Sequence, residues 1–224
     1  MLIDAAILAG VKHIIPSAFG LDTRIPANRE LPNFAVKVKV EDYLVKCARE
    51  GKISFTVIQT GALFEWALSK GVLVNPKGPT RLFDGGDTEF SVSGLDDVGK
   101  AVAAVVRRMR ESGFEDVEVK NRVLLMHSAV LTQNRLLEMC KEIKPENTSG
   151  WETIDVDTNA LYDKSRAAYD GGARDMLTFM GMLPRNTFGL GVGLHRPNDN
   201  QVLGVEEWIS GKVRAKTEEA LSGL

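Results

Sequence analysis

Apolar positions recur along this chain with two periods, and their alternation predicts the fold. Val36, Val40, Tyr43, Leu44 and Cys47 return at helical spacing and predict a helix over Asn33–Glu50 that Gly51 caps. The β-branched run Ile53–Ile58 that follows predicts a strand. Upstream, Leu2–Leu8 reads as the tail of a helix ended by Gly10, and Val11–Ile15 as a strand that Pro16 terminates. Strand, helix and strand in succession form the crossover unit of a parallel sheet. Past Gly61 the turn signals Asn75-Pro76 and Lys77-Gly78-Pro79 precede short strands over Thr80–Phe83 and Glu89–Val92. A helix over Val98–Arg110 takes Asp96 or Asp97 as its cap, because a carboxylate there accepts otherwise orphaned N–H groups. A strand over Asn121–Met126 and a helix over Thr132–Ile143 follow. From Trp151 the pattern predicts a strand (Glu152–Val156), a polar helix (Asn159–Tyr169), a stretch rich in Met and Phe (Met176, Phe179, Met180, Met182, Phe188) and a closing helix (Glu206–Leu221). The expected class is α/β.

Doubly wound sheets open with strand, glycine turn and helix, since the glycines let backbone N–H groups approach a pyrophosphate. That turn is missing after the first strand, and Gly171-Gly172 and Gly189-Leu190-Gly191-Val192-Gly193 do not lie between a strand and a helix. The chain also opens inside an uncapped helix, so the expectation is an incomplete sheet whose front is absent.

Composition narrows the function. With 28 basic and 30 acidic residues the formal charge is -2, which provides no drive toward nucleic acid or an anionic membrane. Only Cys47 and Cys140 occur, far apart, which suggests neither a disulfide framework nor a zinc cluster and fits a reducing, cytoplasmic compartment. Asp4 stands where a secretory signal carries basic residues, and no stretch predicts a membrane span. His13, His127 and His195 lie in unrelated surroundings without ligand spacing, so no metal is expected, and His127 reads as a structural histidine.

Four segments in order carry a family resemblance. Ala9 to Asp22 (AGVKHIIPSAFGLD) resembles the "AGVKRFIPSEFGxD" stretch of NmrA-like and isoflavone-reductase-like proteins, which are atypical short-chain dehydrogenases. Phe34 to Val40 is similar to their "FxxKxxV" helix start, Ser54 to Phe64 to their "xYTxVxxGxF" segment, and Leu95 to Gly99 to their "xxDIG" helix start. The resemblance implies a Rossmann-like NAD(P)-binding domain, of which residues 1–150 are the C-terminal part with some substrate-lobe segments around 61–92. Residues 151–224 are then mainly a smaller C-terminal α+β substrate lobe.

By the same resemblance, Pro16, Ser17, Phe19, Gly20, Lys37, Thr60, Gly61 and Phe64 line the nicotinamide, and Lys37 is the catalytic lysine. Ala18 replaces the family's usual Glu. Helical spacing agrees on the lysine: Lys39 groups with Asp42, Lys46 and Glu50 on a charged face, whereas Lys37 lies beside Val40 and Leu44 at the edge of the apolar stripe. Asn33 stands four residues before it, so the Tyr-x-x-x-Lys pair of ordinary short-chain dehydrogenases is absent. The Met and Phe stretch can line an apolar substrate pocket, although such stripes are more often core. The implied function is an NAD(P)H-dependent oxidoreductase acting on a small aromatic molecule, with NADP(H) or NAD(H) held less firmly for want of the glycine loop. The alternative is a non-catalytic redox sensor that binds a dinucleotide and a protein partner.

Overall fold

A computed structural model describes residues 2–147 and 151–223; the expected boundary at 150 lies outside the described residues. The chain begins in helix α1 (Leu2–Leu8), and Gly10 turns it with φ +74°. The strand expected over Val11–Ile15 pairs only at His13–Ile14 (β1), because Pro16 has no N–H to continue the ladder. A short helix α2 (Pro26–Arg29) and a 3-10 turn (Pro32–Phe34) lead into α3 (Ala35–Arg49), then β2 (Ser54–Gln59). The 3-10 turn sets the phase of α3, so Leu44 and Cys47 are buried while Val36, expected in the stripe, is 74% exposed.

β1 pairs parallel to β2, and β2 parallel to β6 (Arg122–Leu125), which makes the three-stranded order β1-β2-β6. All six β2 residues are buried because helices cover both faces. Ile3 of α1 and Leu44 and Cys47 of α3 pack with Phe55 and Val57 on one side. Helix α5 (Leu95–Glu111) supplies Ala101, Val105 and Met109 to Ile58, Leu124 and Met126 on the other, where Leu203 and Val205 also pack.

Beyond β2 the pattern had left out β3 (Ala62–Leu63), α4 (Phe64–Ser69) and β7 (Ala129–Leu131), elements too short for a period to register. β3 and β7 flank β5 (Phe90–Ser93), and β4 (Thr80–Phe83) pairs parallel to β8 (Thr153–Val156). α6 (Gln133–Ile143) is capped by Thr132, whose hydroxyl accepts from Arg135 N at 3.1 Å. The rest is α7 (Thr158–Asp170), α8 (Met176–Met180), a π-turn over Arg185–Gly189, α9 (Asn200–Leu203) and α10 (Ser210–Ser222). The closing helix starts four residues later than expected, because Trp208 and Glu207 are engaged in side-chain contacts described below.

The Met and Phe stretch does not form one lining. Met182 is buried with Leu21, Leu31 and Phe34, Phe188 stacks on Phe83 at 5.0 Å, and Met176 is 70% exposed. Among the described residues no helix is long and apolar enough to cross a membrane.

Candidate functional site

The carboxyl ends of parallel strands are where ligands bind in sheets of this kind, and here the loop after β1 and the turn after β2 are joined by backbone. The Gly20 carbonyl accepts from Thr60 N at 3.1 Å and from Gly61 N at 2.9 Å. The crossing is tightly packed at both glycines, and at Gly61 it requires glycine. Gly61 has φ +65°, and a Cβ on it would sit 2.4 Å from the Ser91 carbonyl oxygen. A Cβ at Gly20 would lie 3.2 Å from the Phe34 ring. Phe19, between them, has φ +22°, an uncommon conformation for an aromatic residue of the kind that clusters at functional sites.

α3 carries Lys37 to this crossing, where Nζ donates a hydrogen bond to the Ala18 carbonyl and lies 5.7 Å from the centre of the Phe34 ring. Burial lowers the Lys37 pKa from the usual lysine range, and the Glu41 carboxylate opposes that shift. Lys39, by contrast, is exposed. The side chain of Ala18 is 2% exposed inside the α1–α3 core, so the residue standing where the family has Glu contributes its carbonyl to the site and its methyl to packing.

The remaining predicted residues separate by exposure. Ser17 is exposed at the mouth and Pro16 is buried beneath it. Phe19 packs among Ile15, Ile58 and Met126. Thr60 is fully buried, with its carbonyl accepting from Ser93 Oγ at 2.7 Å. Phe64 is also fully buried, its ring edge-on to Trp208 at 5.6 Å in the core of the β3-β5-β7 sheet. The structure therefore brings Ser17, Gly20, Lys37 and Gly61 to one place and sends the side chains of Thr60 and Phe64 into the interior.

Glu41, which the apolar pattern passed over, is buried one turn after Lys37. Its carboxylate accepts from Thr23 Oγ1 at 2.6 Å and from Gln59 Nε2 at 3.3 Å, and Gln59 Nε2 also donates to Thr23 Oγ1 at 3.1 Å. The available signal is the i, i+4 spacing to Lys37, which puts both residues on one helix face.

A second polar cluster lies beyond β5 and β6, and it places together two histidines expected to be unrelated. His127 is buried; its Nδ1 meets the His195 carbonyl at 3.1 Å and its Nε2 meets Glu207 Oε1 at 2.8 Å. Asp97 proves to be no helix cap. Gly94 occupies that position, since a Cβ there would meet Trp208 Cζ2 at 2.4 Å, and the first N–H groups go instead to Ser128 Oγ and Glu65 Oε2. Asp97 accepts from Lys100, Ser128 and Trp208, each at 2.7 Å. Burial alone would raise its pKa; these hydrogen bonds outweigh that and hold it below the usual carboxylate range.

Comparison with known proteins agrees with the fold. The oxidoreductase aprR of Aspergillus flavus is 33% identical over 140 residues, which is 61% of this chain and 44% of that protein, so the chain spans under half the length of the curated relative it matches. The NADPH complex of leucoanthocyanidin reductase from Vitis vinifera superposes with a TM-score of 0.68 at 16% identity, covering 99% of this chain and 70% of that one. Isoflavone reductase superposes with a TM-score of 0.66 at 13% identity, over 100% and 69%. The model of the NmrA-like family matches residues 1–139, more than half of the sequence, and the chain belongs to that family.

Proposed function

We propose that this chain carries the nicotinamide end of the site in an NAD(P)H-dependent reductase of the isoflavone-reductase type, acting on a small aromatic molecule. The observation that supports it most is Lys37, a half-buried lysine held by one backbone carbonyl at the carboxyl ends of β1 and β2. What supports a cofactor there is that Gly20 and Gly61 let the loop after β1 and the turn after β2 meet closely, packed on Phe34 and Ser91, while Ser17 stays exposed next to the Ala18 carbonyl that holds Lys37. A bound nicotinamide dinucleotide supplies the hydride that a substrate carbon accepts. Lys37 holds a proton on Nζ and donates it to the substrate oxygen, which leaves a neutral amine for solvent to reprotonate. Desolvation favours that transfer, because it destabilises the ammonium relative to the amine. The sequence has no Gly-x-Gly-x-x-Gly turn between a strand and a helix, so the chain by itself would hold the pyrophosphate less firmly.

Lys37→Ala tests the reading. We expect kcat/KM to fall by about 10²-fold or more while calorimetry finds NADPH affinity changed by less than about tenfold. Undiminished turnover in the variant would remove Lys37 from the chemistry. Dinucleotide binding with no turnover of any carbonyl or enol ether by the parent protein would instead favour a sensor with a protein partner.

A further inference from the structure

We propose that Glu41 is the positioning residue of Lys37: its buried carboxylate, clamped by Thr23 and Gln59, fixes the turn of α3 that carries the ammonium and supplies a negative charge one turn away on the same helix face. The inference deepens the reductase reading in naming how the lysine is set, yet its core concerns two side chains and needs no cofactor.

Three observations carry it. The first is the clamp, which ties α3 to two other elements: Thr23 belongs to the loop that follows β1, and Gln59 is the last residue of β2. That same loop and the same strand end bear the Ala18 carbonyl and the Gly20 crossing, so the groups holding Glu41 are continuous with those framing Lys37. The second is burial. Glu41 is 7% exposed, and a carboxylate is kept from water only where something replaces its hydration. Two donated hydrogen bonds do so in part and leave the charge to act on its surroundings through a medium that screens poorly. The third is register, since residues four apart lie on one helix face.

The charged groups around Glu41 are few. Lys37 and Asp42 share its helix, and Arg29 faces it from α2 but is itself bonded to Asp42 at 2.5 Å. β2 presents only the neutral Gln59, and the loop after β1 presents Thr23. Burial raises the Glu41 pKa, opposed by the hydrogen bond from Thr23, the charge of Arg29 and the hydrogen bond from Gln59. At the alkaline pH where a lysine titrates the carboxylate is ionised, so it favours the Lys37 ammonium when that matters.

A group that only braced α3 would affect stability and leave the Lys37 titration where it is. The experiment therefore follows the Nζ resonance of Lys37 by ¹⁵N NMR against pH in the full chain without cofactor. Glu41→Gln, close in shape but uncharged, should move the Lys37 midpoint to lower pH, and Glu41→Asp should restore it toward the parent's. Thr23→Val, which removes one donor and keeps the charge, should lower thermal stability and leave the midpoint unmoved. An unmoved midpoint in folded Glu41→Gln overturns the proposal. If that variant does not fold, the parent decides: the Glu41 carboxyl ¹³C and Lys37 Nζ resonances should share an acid inflection, and independent titrations overturn the proposal. Where the reductase reading also holds, Glu41→Gln should lose about tenfold in kcat/KM, with its alkaline limb moved to lower pH. A shifted midpoint with no turnover in any variant would retain the Lys37–Glu41 coupling and reject the reductase reading.

Discussion

Two polar groups, one around the Asp97 carboxylate after β5 and one around Lys37 at the ends of β1 and β2, differ in how completely they are satisfied. Around Asp97, one carboxylate receives three hydrogen bonds, and its partners Ser128 and Trp208 are bonded in turn to Gly94 N and to each other's backbone at 2.6 Å. Around Lys37, a cation rests on one backbone carbonyl, the carboxylate one turn away is held by Thr23 and Gln59, and Gln59 Oε1 is buried without a partner. Saturation at Asp97 marks a carboxylate that holds the fold together, although His195 Nε2, in the same cluster, is also buried without a partner. Incomplete satisfaction at the carboxyl ends of β1 and β2 accords with the cofactor site proposed above, since such strand ends are where sheets of this kind bind ligands.

The contrast can be broken at either end. The largest effect is expected for Asp97→Ala, which leaves the buried Ser128 and Trp208 donors without their shared acceptor and should cost about 2–4 kcal/mol in a denaturant titration. Because the folded pKa of Asp97 is depressed, its contribution is present above the unfolded value and is lost as pH falls through the folded one. If Asp97→Ala left stability intact but impaired turnover, the two clusters would have exchanged roles. Lys37→Ala is the mirror experiment: beside its catalytic loss, it should change stability by less than about 1 kcal/mol, since the residue makes one hydrogen bond at the site's edge.

His13 is expected to have a smaller effect, confined to one pH window. Its Nδ1 meets Ser54 Oγ at 2.8 Å and its Nε2 meets Thr56 Oγ1 at 3.0 Å, and burial, then the charge of Lys120, lowers its pKa to about 4. Between the unfolded value of about 6.5 and the folded value of about 4 the unfolded chain binds the extra proton. Stability therefore falls as pH drops across that window, by about 2 kcal/mol once the full-shift figure of about 3 kcal/mol is reduced for solvent screening of this half-buried ring. His13→Gln should flatten this slope in acid-unfolding curves, and an unchanged slope would reassign it to another group.

Much of this was legible beforehand where a period ran long enough. Helix α5 and the all-buried β2 announce themselves through repeated apolar residues. The position of Lys37 at the edge of the α3 stripe, with Lys39 outside it, also followed from spacing. Elements of two or three residues such as β3 and β7 did not, since they exist only because a neighbouring strand supplies their hydrogen bonds. The role of Asp97 was misread for a related reason: as a cap it needed only local chain, but Trp208, 111 positions away, claimed its carboxylate.

What the sequence determined by itself is the α/β class, the family, and the presence of a lysine at the border of an apolar helix face. These depend on local periodicity and residue order, which the chain carries wherever it folds. Tertiary structure alone decided that the carboxylate one turn from that lysine is buried and clamped, that the Ala18 carbonyl meets the ammonium while its methyl packs inward, and that Thr60 and Phe64 turn inward. Those outcomes depend on which segments meet at the ends of β1 and β2, and burial and hydrogen-bond satisfaction are properties of the meeting.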